Sequence, residues 1–392
     1  MHVAYLFDRV LPATETDSEQ VIRTVAALGR RGVRVTLIVP DGRAPGADAR
    51  VLRDYYQVEG DLEVEQISAL LSGWSTARKW GHAVRALRTR TVDDVDVIYT
   101  RNFPTLFVAA TMARPFAYET YRPWFDQFPP LRVPFRLAMR RPLFLGAVLH
   151  SHFARSRYES LGVAADRLEV VHNGFDPAQF EPRLSKQEAR RRLDLPLERS
   201  IVTYTGHINA TKGLDVVLKM AKRCPEVLFV LVGSQGRGVI ERLAAGMDNV
   251  RIEPWQPFDS AVRHLFAADV LLQPPSGVPL RFVGNTVLPM KLFLYLAAGR
   301  PILAPRSPDT VELLEHGRNA VLVPPSDAEA AVVALRALLA DPERARRMGD
   351  EALRSAEGLT WDARAERIER FLERRLSVVR AAVALPIGRQ EL

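Results

Sequence analysis

Short apolar runs, each stopped by Gly, Pro, Asn or Asp, alternate with amphipathic stretches along almost the whole chain. This alternation limits the fold more than any other feature. A strand that is apolar on both faces must be covered on both faces. Intervening helices supply that cover, and the sheets are then parallel. In the first half the strands read HVAYLF (2–7), VRVTLIV (33–39), VIYTR (97–101), FAYET (116–120), AVLHS (147–151) and LEVVHN (168–173). A helix over roughly 18–31 lies between the first two, with Thr16, Asp17 and Ser18 as its cap and Glu19 in its first turn.

The pattern then starts again. Strands are expected at IVTYTG (201–206), LFVLVG (228–233), VRIEP (250–254), VLLQP (270–274), PILA (301–304) and AVLVP (320–324). At 392 residues the chain is too long for one ordinary core. The expected fold class is α/β, with two Rossmann-like parallel-sheet domains facing a cleft. Residues 1–175 form the first domain, 176–200 a polar, proline-bearing linker, 201–360 the second domain, and 361–377 a C-terminal helix rich in Arg and Glu. Ligands of such sheets bind beyond the C-terminal ends of their strands, so the chemistry should be sought there.

Several function classes are excluded at this level. Cys224 is the single cysteine, which rules out a disulfide framework or a cysteine metal site and fits a cytoplasmic location. The opening MHVAYLFDRV turns polar after seven residues, so no signal peptide is expected. No run approaches the ~18 apolar residues of a spanning helix. FDRVLPATETDSEQ, at the first βα turn, lacks glycine, which argues against a dinucleotide dehydrogenase, and there is no P-loop and no G-x-S-x-G elbow. His150, His152, His172 and His207 show no ligand spacing, and Asp94-Val95-Asp96 reads as a turn at a strand entry. No metal and no cofactor are expected.

The net charge of +8 favours anionic partners. In YTGHINATKGLDVVLKMA (204–221), Gly206 ends a strand and Lys212-Gly213 open the next helix. A lysine there sets a mobile ammonium beside free backbone N–H groups, an arrangement that suits a phosphate or simply a solvated loop. From Gln127 to Tyr158 every charge is an arginine, and Arg132, Arg136 and Arg140 recur at i, i+4 and i+8 with Arg141 beside them. Phe135, Met139 and Leu143 are their apolar neighbours. Such a helix fits an anionic membrane surface, an acceptor surface, or a solvated face over a core. Nucleic acid fits poorly, because the basic stretches lack interleaved aromatics.

Together, VVHNGFDPAQFEP (170–182), TYTGHINATKGLDVVL (203–218), LFVLVGS (228–234), FAADVLLQPP (266–275), LPMKLFLYLAAGRPILAP (288–305), ELLEHGRNAVLVPPSD (312–327) and LTWDARAERIERFL (359–372) resemble the retaining, GT-B-fold glycosyltransferases of family 4. The first half matches weakly, as suits an acceptor domain. The resemblance implies a nucleotide-diphosphate-sugar donor held by the second domain. By that resemblance Gly206, Asn285, Thr286, Val287, Leu288, Pro289 and Met290 are expected to cradle the diphosphate and sugar, and Lys212 to pair with phosphate. It also implies that the last helix crosses back to the first domain.

Three departures accompany it. Leu294 stands where relatives carry the glutamate that accepts from ribose, with Thr286 at the position of its partner glutamate in a Pro289-Met290-Lys291 context. His207 replaces an arginine beside the phosphate lysine, and Tyr121 replaces a histidine. The expected function is metal-independent transfer with retention to a glycan, a lipid-linked acceptor or a cell-surface polysaccharide, with Lys212, His207 and Tyr121 as catalytic candidates. A catalytically inactive binding subunit and a GT-B-fold epimerase are the alternatives. The expected location is cytoplasmic, with peripheral attachment to the inner face of the membrane through the arginine helix.

Overall fold

The computed structural model describes residues 1–42, 48–68, 75–256, 258–279 and 288–384. The chain divides into two compact units. One comprises Met1–Asn173 with Trp361–Leu392, and the other Gly174–Thr360. The segment 176–200, read as a linker, packs as part of the second unit. Phe180, Ala189 and Leu195 join its core, around the short helix Lys186–Arg192.

Unit 1 holds a parallel sheet of seven strands: β1 (His2–Leu6), β2 (Arg34–Pro40), β3 (Glu63–Ile67), β4 (Val97–Thr100), β5 (Phe116–Thr120), β6 (Phe144–Leu149) and β7 (Leu168–Val170), in the order 3-2-1-4-5-6-7. Unit 2 holds six: β8 (Ile201–Thr205), β9 (Leu228–Ser234), β10 (Val250–Pro254), β11 (Val270–Leu272), β12 (Ile302–Pro305) and β13 (Ala320–Val323), in the order 10-9-8-11-12-13. Both orders reverse direction beside the first strand, between β1 and β4 and between β8 and β11. At such a point the helices on either side diverge and leave a crevice at the strand ends.

The central strands are apolar on both faces and fully buried, with Val3, Ala4, Tyr5 and Leu6 in β1 and Val202 and Tyr204 in β8. The edge strand β3, Glu-Val-Glu-Gln-Ile, is absent from the sequence reading. Only Ile67 is buried in it, so it lacks the continuous apolar run that betrays the others. The first helix spans Thr16–Arg30, and its N-cap is Glu15, which makes no side-chain capping bond. Thr16, Asp17 and Ser18 are therefore inside the helix rather than its cap. Asp17 and Glu19 still favour its first turn, where the helix dipole is positive.

The final helix, Trp361–Ala384, belongs to unit 1 and is fastened there from within the core. Arg364, 2% exposed, donates from Nη2 to Glu119 Oε1 (2.7 Å) and from Nη1 to the carbonyls of Val171 (2.7 Å) and His172 (2.9 Å). Arg375 donates to the Leu145 carbonyl (2.9 Å) and pairs with Asp166 at 2.6 Å. Asp96, in the D-x-D run, accepts from the His2 backbone N–H (2.8 Å) and pairs with Arg380, a structural role at a strand entry.

Candidate functional site

The reversal point of unit 2 gathers a set of residues from three segments. The first is the end of β8. Gly206 follows it with φ of +131°, a conformation that L side chains rarely adopt, and its N–H donates to the Val232 carbonyl at 2.9 Å. The chain then makes a short turn, Ala210–Lys212, in which the Asn209 carboxamide accepts from the Thr211 N–H (3.0 Å) and hydroxyl (2.7 Å). Gly213, at φ +72°, opens the helix Leu214–Arg223. A methyl group on Gly213 would stand 2.3 Å from Ser276 Cβ, so this turn lies directly against the second segment, the loop after β11.

The third segment is the helix Lys291–Ala298. Its position is set by Tyr295, whose hydroxyl accepts from the Thr205 N–H (2.9 Å) and donates to the Leu272 carbonyl (3.4 Å). One side chain thus ties the helix to the ends of both β8 and β11. At the other end, Gly299 terminates the helix at φ +66°, and Arg183 donates to the carbonyls of Ala297 (3.0 Å) and Ala298 (3.2 Å).

This anchoring brings Lys291 across the end of β8. Its ammonium lies 3.9 Å from the centroid of the Tyr204 ring, and a methyl on Gly206 would come within 3.0 Å of it. Tyr204 is held in place by donating its hydroxyl to the His207 carbonyl (2.9 Å). Burial, and then the charge of nearby Lys212, hold the Lys291 ammonium well below the usual lysine range. Lys212 is half-buried, and burial lowers it as well. Among the described residues, neither lysine has a carboxylate partner. Two lysines close enough to influence one another, without a carboxylate and beside the Gly206 strand end, have the chemistry that suits a polyanion.

The sequence candidates fall as follows. Gly206, His207, Lys212 and Pro289-Met290 lie in the three segments just described, with Leu288 buried in the unit 2 core. Asn285, Thr286 and Val287 lie outside the described residues. Leu294 packs against the unit 2 core, so an apolar contact occupies the place where a ribose-binding glutamate was sought. Tyr121 is in unit 1, just past β5. Its ring lies 5.1 Å from the Arg122 guanidinium and 5.8 Å from that of Arg101.

The arginine helix is Arg132–Met139. Phe135 and Met139 are core residues, and the outward face carries Val133 and Leu137, both more than 60% exposed, with Phe128 just upstream. Arg140 and Arg141 are exposed, Arg136 donates to the Leu161 carbonyl (3.2 Å), and Arg132 lies 3.5 Å from Asp126. Among the described residues no helix is long and apolar enough to cross a membrane, and no group of His, Cys, Asp or Glu could hold a metal.

Tyr204 and Tyr295 are the residues that motif reading passed over, and Lys291 entered it only as part of the Pro289-Met290-Lys291 run, without a role of its own. A signal existed for that role. Lys291 is the only charge in an otherwise apolar helix, and an uncompensated charge in a buried run rarely stands there without a purpose.

Comparison with known proteins agrees with this geometry. The family described as Glycosyl transferases group 1 matches residues 185–355, and that described as Glycosyltransferase Family 4 matches residues 18–179. The chain belongs to the family 4 glycosyltransferases. A D-inositol 3-phosphate glycosyltransferase of Thermomonospora curvata is 29% identical over 237 residues, which is 55% of this chain and 53% of the relative. The chain thus spans about half the length of the curated relatives it matches. HepE of Anabaena, solved in complex with UDP, superposes with a TM-score of 0.74 at 17% identity, over 95% of this chain and 100% of that one. WaaG, a glycosyltransferase involved in lipopolysaccharide biosynthesis, gives 0.65 at 13%, over 94% and 99%. At these identities the solved structures speak to the fold, which is GT-B.

Proposed function

We propose that this family 4 glycosyltransferase moves a sugar from a nucleoside-diphosphate-sugar donor to a glycan, lipid-linked or cell-surface polysaccharide acceptor, with retention at the anomeric carbon. The observation that carries this reading is the pair of carboxylate-free lysines, Lys212 and Lys291, at the reversal point of unit 2. The difficult event in such a transfer is departure of the nucleoside diphosphate, which develops negative charge on the leaving oxygen. Fixed cations at that oxygen favour the transition state over the ground state, the task that a metal ion performs elsewhere. Lys212 is the leading residue for this role, with His207 beside it. Asn285, Thr286 and the turn to Met290 are assigned to the sugar and its phosphate, and Tyr121 to the acceptor or the donor sugar. The base is assigned to the edge of unit 2 near Pro254 and Trp255. There a pocket of ≈ 800 Å³ is lined by Ser234, Arg237, Glu241 and Trp255, the last 48% exposed.

The deciding experiment is a calorimetric titration with UDP, GDP, ADP and dTDP, repeated with Lys212→Ala. Micromolar binding of one nucleotide, weakened at least ~100-fold in the variant, is expected from the loss of a charge-assisted phosphate contact. A second reading, a binding subunit without catalysis, is favoured by Leu294, which offers ribose no acceptor. Nucleotide binding without hydrolysis or transfer of any donor sugar would establish it.

The outward face of Arg132–Met139 supports attachment to the inner face of an anionic membrane. Apolar Val133, Leu137 and Phe128 would enter the interface while Arg140 and Arg141 meet headgroups. Cosedimentation with phosphatidylglycerol vesicles at low salt, lost in Arg140→Gln/Arg141→Gln/Leu137→Ser, checks this. Equal sedimentation of both proteins would end it.

A further inference from the structure

Lys291 has an environment that a resting protein does not favour. Its ammonium meets the face of Tyr204, the backbone of Gly206 and the like charge of Lys212. Its own helix adds Tyr295, whose hydroxyl is engaged with Thr205 and Leu272. Among the described residues no carboxylate faces it from any of these elements. A ring face attracts a cation only weakly compared with a carboxylate, so it does not offset both desolvation and the neighbouring lysine. An anion would offset both. The helix is also held by bonds that do not involve Lys291, so the charge is not needed to build the site.

Resting on the donor-site reading above, we infer that Lys291 is a second diphosphate-binding cation beside Lys212, which takes up a proton as the nucleotide arrives. The uptake balances simply. The neutral amine gains one proton from buffer, and the resulting ammonium pairs with phosphate oxygens whose own charge is unchanged above pH 7.5. Affinity then falls as pH rises through the range between the free and bound values of Lys291, by up to tenfold per pH unit for one proton.

The test is calorimetry of UDP, or of whichever nucleotide binds, at pH 8 in Hepes and in Tris. The two buffers differ in ionisation enthalpy, so the difference in observed heat counts protons. Wild type is expected to take up a substantial fraction of one proton. Lys291→Met keeps the apolar stem and removes the charge. It should bind at least 10-fold more weakly with no uptake, while the free variant melts at or above the wild-type temperature. Lys291→Arg, always charged, should bind without uptake. His207→Gln should leave the uptake unchanged.

Full affinity and full uptake in Lys291→Met would overturn the inference while leaving the donor site intact, provided Lys212→Ala still loses binding. Uptake that vanishes in His207→Gln but survives in Lys291→Met would assign the proton to His207 and overturn it equally. Failure of wild type to bind any nucleotide at millimolar concentration would remove the donor-site reading itself, and the inference with it.

Discussion

Glu119 in unit 1 and Lys291 in unit 2 are both ionisable side chains held near the strand ends of a parallel sheet, and their surroundings are opposites. Glu119 has no exposed surface and is fully answered. Arg364, Gln20 and His150 donate to Oε1 at 2.7, 2.9 and 2.9 Å, and Tyr5 donates to Oε2 at 3.0 Å. Burial alone would push its carboxyl up. Arg364, the His150 hydrogen bond and Arg101 outweigh that and hold it far below the usual range. Lys291 has a ring face and another lysine. Unit 2 can satisfy a buried cation where structure requires it. Arg190, 2% exposed, pairs with Asp269 at 2.6 Å and donates to the carbonyls of Ala267, Leu197 and Arg199. Lys291 is half-buried, and the contrast separates two uses of desolvated charge. Charges that specify a fold are closed among themselves, and charges kept for a ligand are left open.

The sharpest way to break this comparison is at Glu119. Glu119→Gln leaves Arg364 and Arg101 buried without their anion. It should destabilise unit 1 by about 3–5 kcal/mol, read as a lowered thermal midpoint. Glu119→Gln/Arg364→Met removes the stranded charge and should recover a large part of that loss. If the single variant melted like wild type, the cluster would not be the clamp on the last helix that its bonds describe.

Next in size is a dependence on pH. Burial lowers His150 to about 4, against the opposing pull of Glu119. The unfolded chain, with an ordinary histidine near 6.5, therefore binds a proton that the folded chain refuses between about pH 6.5 and about 4. Stability contributed by neutral His150 is complete above that window and is lost on acidification through it, by roughly 3 kcal/mol in all. Glu119 is also held below its own unfolded value, so its contribution is present above that value and is lost only in stronger acid. Melting His150→Gln across pH 4 to 7 should give a flatter curve than wild type. An unchanged curve would place the proton elsewhere.

A smaller effect is expected at Gly206. Its φ of +131° is strained for any other residue, and an added methyl would meet the Lys291 ammonium at 3.0 Å and the Tyr204 hydroxyl at 3.2 Å. Gly206→Ala should cost about 1–3 kcal/mol from backbone strain. By pushing Lys291 off the strand end, it should also weaken nucleotide binding. A loss of stability without a loss of affinity would separate Gly206 from the donor site.

How far the sequence carried this reading follows from the range over which each signal acts. FAYET is a strand at its expected bounds, because a fully buried parallel strand writes itself as one apolar run. VRIEP also keeps its expected bounds, although it is an edge strand in which no residue is fully buried. β3 does not show such a run, since an edge strand need bury only one residue in five. β6 begins at Phe144, earlier than AVLHS suggests, because Gly146 sits inside it at φ +150° and interrupts the pattern. Lys212 and Gly206 were legible as a local strand–turn–helix junction. The Lys291–Tyr204 contact was not. It depends on Tyr295 reaching across to Thr205, and no window of sequence contains both partners. The Arg364–Glu119 bond spans 245 positions and is invisible for the same reason.

The comparison also predicts where pairing should not matter. Arg346 bridges Glu343 at 2.8 Å and Asp350 at 2.9 Å on the exposed face of the helix Pro342–Ser355, with ion-pair geometry as good as that of Arg364. What differs is water. Exposed partners are solvated when apart, so joining them gains little, and salt screens what is gained. Arg346→Ala should leave the thermal midpoint unresolved from wild type at 0.15 M salt, with Arg364→Ala measured alongside as the buried counterpart. A drop at Arg346 approaching that at Arg364 would mean that pairing itself, and not burial of the pair, decides what a charge contributes here. The inference that unpaired Lys291 awaits a ligand would then lose its physical ground.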